Sequence, residues 1–290
     1  MADRVNDTLD NQRKRLAVRR AVCYLVLIFV TVLSLFSFYI LFINSTRSHP
    51  DIQKGFSALP GRSFFINLQN ILKNENLPVV SGICNSILVS TGTAALSTYF
   101  SAMTAFGIHA YDFRLKKAAF AFIMMVMLVP TQVSALGFVR LMSAVGLKDS
   151  FIPLIIPAIA SPVVFFFMKQ YMESALPIEI VEAARIDGSN EFHTFNFIVL
   201  PIMKPAIAVQ AIFTFVSAWN NYFLPALLLD SQHKKTLPIL IAQLRSADFM
   251  KFDMGQVYIL IFIAIVPVIF VYLLLSKFIV RGVALGSVKG

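Results

Sequence analysis

"EIVEAARIDGSNEFHTFNFIVLPIMKP", residues 179 to 205, decides how this chain folds, because it sets six charged residues between long uncharged, apolar runs. Charged side chains are costly in an apolar medium, so the stretch has to lie outside whatever medium holds its neighbours. Pro177 suits a first helical turn, where its missing donor would go unpaired anyway, and Glu179 favours the positive N-terminal end. Gly188 stands where a left-handed stop would fall, giving a first helix over 177–187. Ser189 can cap a second, with Glu191 in its first turn and Phe192, Phe195 and Ile198 on one stripe, until Leu200 and Pro201 end it. At about 10 to 11 residues each, both are too short and too charged to cross a bilayer. The spacing predicts a stiff two-helix elbow at the membrane surface.

The rest of the chain supplies the membrane. Of its 290 residues 58% are hydrophobic and 28 are phenylalanine, far beyond what a soluble domain of this size carries. Six runs contain no Asp, Glu, Lys or Arg and are long enough to span a hydrocarbon core: 21–43, 83–111, 118–139, 151–168, 206–229 and 256–275. One mid-membrane charge costs about 2.5 to 3.5 kcal/mol on the insertion scale, so the complete lack of charge in all six argues for an all-α integral membrane protein with six transmembrane helices. The first run is longer than a signal-peptide core and is not followed by a small-x-small cleavage site, so it reads as a retained helix.

Fifteen of the 25 Lys and Arg residues fall in the N-terminal tail 1–20, the 112–117 turn, the 169–205 segment and the C-terminal tail. That bias places both termini and the charged elbow in the cytoplasm, with external loops at 44–82, 140–150 and 230–255. The formal charge of +10 flanks membrane spans, where anionic headgroups attract it, which disfavours a nucleic-acid partner.

No catalytic or metal constellation is legible. His49, His109, His193 and His233 have no second ligand at helical spacing, and Cys23 and Cys84 offer neither a metal spacing nor a disulfide framework. "GFSALPGRS", 55–63, has five residues between its glycines where a phosphate-binding loop has four, and Arg62 where that loop has Lys. The chain is not expected to be an enzyme or to bind a cofactor of its own.

The second run, crowded with Gly, Ala, Ser and Thr, reads as a close-packing helix. Pro130, Thr131 and Gln132 interrupt the third, and Pro153, Pro157 and Pro162 the fourth, as expected of a bundle that moves or encloses water. Trp219, Asn220, Asn221 and Tyr222 gather in the fifth. Interhelical hydrogen bonding is the default reading; a polar solute path with Gln132 is the sharper one, since amides and aromatic rings match the hydroxyls and C–H faces of a sugar.

From the residues alone, an elbow lying flat on the membrane, with Glu182 and Arg185 as an i, i+3 pair, is as open as one that docks on a partner. The spacing Glu182-Ala183-Ala184, three residues, Gly188, nine residues, Ile198-x-Leu200-Pro201 resembles the EAA loop of permease subunits of bacterial ABC importers. "NSILVSTGT" from Asn85, "PTQVSALGFVRLMSAVGL", "AWNNYFLPALLL" and "FIVRGVALGSVKG" extend the resemblance to the carbohydrate, maltose MalG-like branch over about 200 residues. This resemblance implies the type I importer (MetI-like) fold, a second, non-identical MalF-like permease, an ATPase dimer carrying ATP and Mg, and an extracytoplasmic solute-binding protein. It implies that the elbow is the coupling helix, with Glu182 meeting a basic group of the ATPase, Ala183 and Ala184 permitting close packing, and Arg185, Asp187 and Gly188 completing the docking element. It also sends Val288, Lys289 and Gly290 into the ATPase dimer and the 230–255 loop into the binding protein. An importer for a phosphorylated or other non-sugar solute is the alternative within the class; an ATP-independent channel or membrane scaffold is the alternative outside it.

Overall fold

A computed structural model describes residues 2–246 and 252–286, and these form two compact units. The first comprises residues up to 70 together with 253–262. Its long helix α1, Ala2–Ser45, is followed by a short α2, His49–Gln53, and by α3, Phe64–Leu72. From Leu16 to Phe42 α1 leaves nearly every apolar side chain uncovered, a surface that lipid or another protein must take up. The segment after α1 is held by polar bonds: Asn67 Nδ2 donates to the carbonyls of Ser45 and Arg47 at 3.0 and 2.9 Å. The buried Arg47 guanidinium donates in turn to Asn44 Oδ1 and the Gly55 carbonyl.

The second unit, 71–252 and 263–290, is built on α4, Val79–Ala110. Around it lie α5, Lys116–Met127; α6, Thr131–Ala144; α7, Ile152–Ile155; a 3₁₀ turn, Ile156–Ile159; and α8, Pro162–Ala175. The chain continues through α9, Ile178–Ile186, and α10, Glu191–His193, into a π-helical turn, Thr194–Val199, and α11, Leu200–Trp219. Then come α12, Phe223–Leu228; a 3₁₀ turn, Gln232–Lys234; α13, Leu237–Arg245; and α14, Met254–Gly286.

The small residues of α4 do what their size allows. Ala94, Ser97, Thr98, Ser101, Ala102 and Ala105 are buried, and α8 and α11 pack closely along them. At Gly92 a Cβ would sit 3.0 Å from Ile155 Cγ2, so any larger residue would require the Ile155 side chain to shift, and glycine eases the close approach of α7 to α4. The central core joins Ala102, Ala105 and Phe106 of α4 to Phe165, Met168 and Met172 of α8 and to Phe195, Val199 and Met203 around the π turn.

Among the described residues, five helical stretches are long and apolar enough to cross a membrane: Arg15–Ser45, Val79–Ala110, Ile152–Ala175, Glu191–Trp219 and Met254–Phe278. The third apolar run is not one rod, because α5 and α6 meet at 94° across Leu128–Pro130; counted as one broken span, the pair makes six. Pro130 accounts for the break: a proline disfavours the helical region at the residue before it, and Pro130 itself takes an extended ψ of 128°. The fifth run also differs from the 206–229 reading: the helix begins in the elbow and stops at Trp219, and a separate short α12 follows.

Candidate functional site

The elbow is the most specific feature of the sequence, and its geometry follows from residue chemistry. Pro177 precedes α9 as its N-cap, with φ −58° and ψ 138°, instead of occupying the first turn. At the other end Gly188 N–H donates to the Arg185 carbonyl at 3.1 Å and Ser189 N–H to the Ala184 carbonyl at 3.0 Å. These two bonds are the paired closure of a Schellman motif, and Gly188 supplies the left-handed residue it requires, with φ +82°. Nothing lies within 4 Å of where a Gly188 Cβ would sit, so backbone conformation and not space calls for glycine.

Asn190, not Ser189, caps the next helix: its Oδ1 accepts the His193 N–H at 2.8 Å. Ser189 Oγ accepts the Thr194 hydroxyl instead, at 2.9 Å. Nor does this helix end at Leu200 and Pro201. The π turn lets Leu200 N–H bond to the Phe195 carbonyl, five residues back, and the wider backbone accommodates the Pro201 ring, so the helix runs on into α11. The changed register also breaks the anticipated stripe: Phe195 is buried while Phe192 is 69% exposed.

Helical spacing divides the EAA residues between two faces. Val181 and Ala184 are buried in the core, whereas Glu179, Glu182, Ala183 and Ile186, at i, i+3, i+4 and i+7, all face outward. Of the two alanines expected to make room for a partner, only Ala183 is exposed. Asp187 and Gly188 are also exposed. Ile186, 86% exposed, adds an apolar side chain to this outward face that the motif reading missed, although its i+4 spacing from Glu182 could have found it.

Arg185 does not pair with Glu182. Its Nε donates to Glu191 Oε1 at 2.7 Å across the Gly188 turn, and its guanidinium lies 5.1 Å from the centre of the Tyr111 ring. Glu191 Oε2 is fully buried and accepts no hydrogen bond. Burial first, and then the Glu191 carboxylate, push the Tyr111 phenol above its usual pKa. Tyr111 immediately follows α4, and two residues earlier His109 Nε2 lies 3.0 Å from the carbonyl of Leu176, just ahead of the elbow. Tyr99 completes the bracing from α4, bonding to Asn196 Oδ1 at 3.1 Å and packing edge-on against Phe195.

The residues proposed for a solute path do not form one site. Trp219 is 2% exposed, stacks on Phe215 and donates Nε1–H to the Ala264 carbonyl at 3.1 Å, which accounts for its buried polar group. Asn220 is the C-cap of α11. Asn221 lines a small cavity of about 150 Å³ with Thr93, Thr214 and Ser217, whereas Tyr222 lines a larger cleft of about 600 Å³ with Asp230, Lys235, Gln243 and Ser246. Gln132 belongs to neither; it accepts a bond from the Thr131 hydroxyl at 3.3 Å on the exposed first turn of α6.

Asp230, which lines this cleft, also belongs to a polar clasp that no local pattern announced. Asp149, with φ +56°, accepts the backbone N–H groups of Asp230 and Ser231, both at 3.0 Å, the Ser231 hydroxyl at 2.6 Å and the Lys234 ammonium at 2.9 Å. The Ser231 hydroxyl and backbone, with Lys234, hold its carboxyl far below the ordinary carboxylate range. Among the described residues no group of three or more His, Cys, Asp or Glu side chains converges as a metal site would need. Val288, Lys289 and Gly290 lie outside the described residues.

Comparison with known proteins agrees with this architecture. A solved crystal structure of a bacterial ABC transporter involved in the import of the acidic polysaccharide alginate contains a chain that superposes with a TM-score of 0.77, covering 90% of this chain and 96% of that one at 22% identity. The arabinooligosaccharides transport system permease protein AraQ of Bacillus subtilis (strain 168) is 36% identical over 209 residues, 71% of this chain and 72% of its own length. The lactose transport system permease protein LacG of Rhizobium radiobacter is 29% identical over 268 residues, 92% and 96% of the two chains. Residues 97–285, which include the whole elbow, match the family model for the inner membrane component of binding-protein-dependent transport systems, and the chain belongs to that family.

Proposed function

We propose that this chain is the permease subunit of an ATP-driven importer for an oligosaccharide or sugar-like solute, and that the outward face of α9 docks on the ATPase. One observation carries the reading: Glu179, Glu182, Ala183 and Ile186 form an exposed face on a helix whose opposite face is locked into the core. Such a helix can pass a push inward instead of absorbing it. Glu182 offers a charge-assisted bond to a basic group, Ala183 permits close approach, and Ile186 supplies apolar area at the edge.

The division of labour proposed for the assembly is the one that membership of this family supports. ATP and Mg would be bound by a pair of ATPase subunits in the cytoplasm. A second, MalF-like permease would complete the pathway, and a solute-binding protein would deliver from outside to the 230–255 segment. Both termini would be cytoplasmic, with Val288, Lys289 and Gly290 reaching the ATPase. ATPase closure would rock the two permeases between outward- and inward-open states around the solute. The sugar class is supported by the names of relatives for arabinooligosaccharides and lactose.

A second reading, a phosphorylated solute, is favoured by one observation: a Yersinia pestis sn-glycerol-3-phosphate transport system permease protein, UgpE, is 27% identical over 265 residues. Purification from native membranes in mild detergent, followed by uptake into vesicles, tests the whole. An ATPase and a second permease should co-elute, and labelled arabinooligosaccharides or sn-glycerol-3-phosphate should enter only with ATP. Glu182→Arg should cut ATPase retention by about tenfold, the scale of one lost charge-assisted contact. A chain that elutes alone, or uptake without ATP, sinks the importer reading.

A further inference from the structure

We infer that Arg185, Glu191 and Tyr111 form an internal strut, with Arg185 a positioning residue that acts within the subunit instead of contacting the ATPase. The inference deepens the importer reading and rests on it only for the source of the force. Three separate elements meet here. Arg185 is in the last turn of α9, Glu191 opens α10, and Tyr111 follows the final residue of α4.

The chemistry of each group fits that task. A guanidinium can bond edge-on to a carboxylate while its face lies on an aromatic ring, a combination that lysine's point charge cannot reproduce. Here Nε reaches Glu191 Oε1 at 2.7 Å and the guanidinium carbon lies 5.1 Å from the Tyr111 ring centre. An exposed ion pair of this kind would contribute little. The two side chains here are 34% and 42% exposed, but Glu191 Oε2 is itself shut off from solvent, so removing the arginine leaves that one shielded oxygen without a cation nearby.

Position gives the strut its purpose. Gly188 and Ser189 lie between the two charged residues, at the left-handed turn where the elbow could fold like a hinge. The Arg185–Glu191 bond spans that turn and fixes α9 against α10, and the Tyr111 ring ties both to α4. His109 holds the other end of the elbow through the Leu176 carbonyl, so the last residues of α4 brace α9 at both ends. A displacement of the docking face is then delivered to α4 and α11 together and is not dissipated at Gly188.

Amide hydrogen exchange on the full-length chain, purified with whatever subunits accompany it, tests this without knowledge of the solute. Arg185→Glu and Glu191→Arg should each speed exchange across 186–195 by about tenfold, and the charge-swapped double variant should bring it back to within about threefold of wild type. Single variants that exchange like wild type, or a double variant no better than either single, overturn the strut whether or not an ATPase is present. Where the ATPase co-purifies, adding ATP should change exchange at 102–111 in the wild type and in the double variant, but not in Arg185→Glu. An equal change in all three overturns the transmission role. Absence of an ATPase from the wild-type preparation would count against the importer reading instead, and leaves the first outcome standing as the test of the strut.

Discussion

Gly188 in the elbow and Asp149 between α6 and α7 both carry the chain through positive φ, at +82° and +56°, and they reach that conformation by opposite means. Gly188 pays no steric cost, since it has no Cβ, and its surroundings are empty. Asp149 does incur one, and offsets it with a side chain that accepts two backbone N–H groups, a hydroxyl and an ammonium from residues more than 80 positions away. The first turn therefore depends on the absence of a side chain, the second on the chemistry of one. The elbow is also a local construction, closed by backbone bonds within five residues, whereas the clasp exists only once α12 and the segment after it are in place.

The comparison breaks most severely at Gly188. Valine there would have to enter the left-handed region, which costs an ordinary residue about 1 to 2 kcal/mol and a β-branched one more. Both Schellman bonds would be strained, and the outward face of α9, proposed to dock on the ATPase, would turn away. Gly188→Val should reduce ATPase retention and ATP-driven uptake by tenfold or more, measured on the purified assembly and in vesicles. Retention and uptake at wild-type levels would show that the turn tolerates another conformation.

A milder effect sharpens the other half. Asparagine tolerates positive φ, so Asp149→Asn keeps the turn and removes the charge that faces Lys234. It should speed amide exchange at 229–235 by about three- to tenfold at neutral pH, while Asp149→Gly relieves the backbone but loses every side-chain bond and should exchange faster still. The pH dependence has a definite sign. Because the folded carboxyl is held below its ordinary value of 3.8, the clasp is at full strength above that value and weakens as pH falls below it towards the folded pKa. The wild-type segment should therefore loosen under strong acid and show no such loss between pH 5 and 8, and Asp149→Asn should lack the acid step. A wild-type transition near neutral pH would mean that another group holds the segment.

The same contrast explains what the sequence made legible. The apolar runs declared the membrane helices because their signal is composition, and the elbow was readable because Pro177, Glu182 and Gly188 act over a few residues. Ala183 and Ala184 look alike in a motif, yet a helix turns them towards different faces, and only the packing of Val181 into the core fixes which one faces out. The continuation past Pro201 was hidden because a proline ordinarily ends a helix, and a π turn upstream is not written in any short pattern. Arg185 pairing forward to Glu191 instead of back to Glu182 depends on Tyr111, which is 74 residues from Arg185 in the chain. Asp149 carries no local signal at all, since its partners come from another part of the sequence.

Trp219 gives the smallest effect and the cleanest separation between packing and transport. A polar aromatic at membrane depth suits a sugar path, but this indole is buried, stacked on Phe215 and already bonded to the Ala264 carbonyl. Replacing it with phenylalanine keeps most of the apolar area and deletes that bond, worth about 0.5 to 1.5 kcal/mol. For a unit of this size the melting temperature should fall by about 2 to 4 °C. The concentration of solute giving half-maximal uptake should stay the same, because a side chain sealed between α11 and α14 has no surface to offer a passing sugar. Tyr222, whose ring lines the open cleft, is the paired control: Tyr222→Ala should leave the melting temperature almost unchanged. If Trp219→Phe instead raises the half-maximal concentration with no loss of stability, the indole must leave its pocket during the transport cycle, and α11 and α14 must separate when the permease opens.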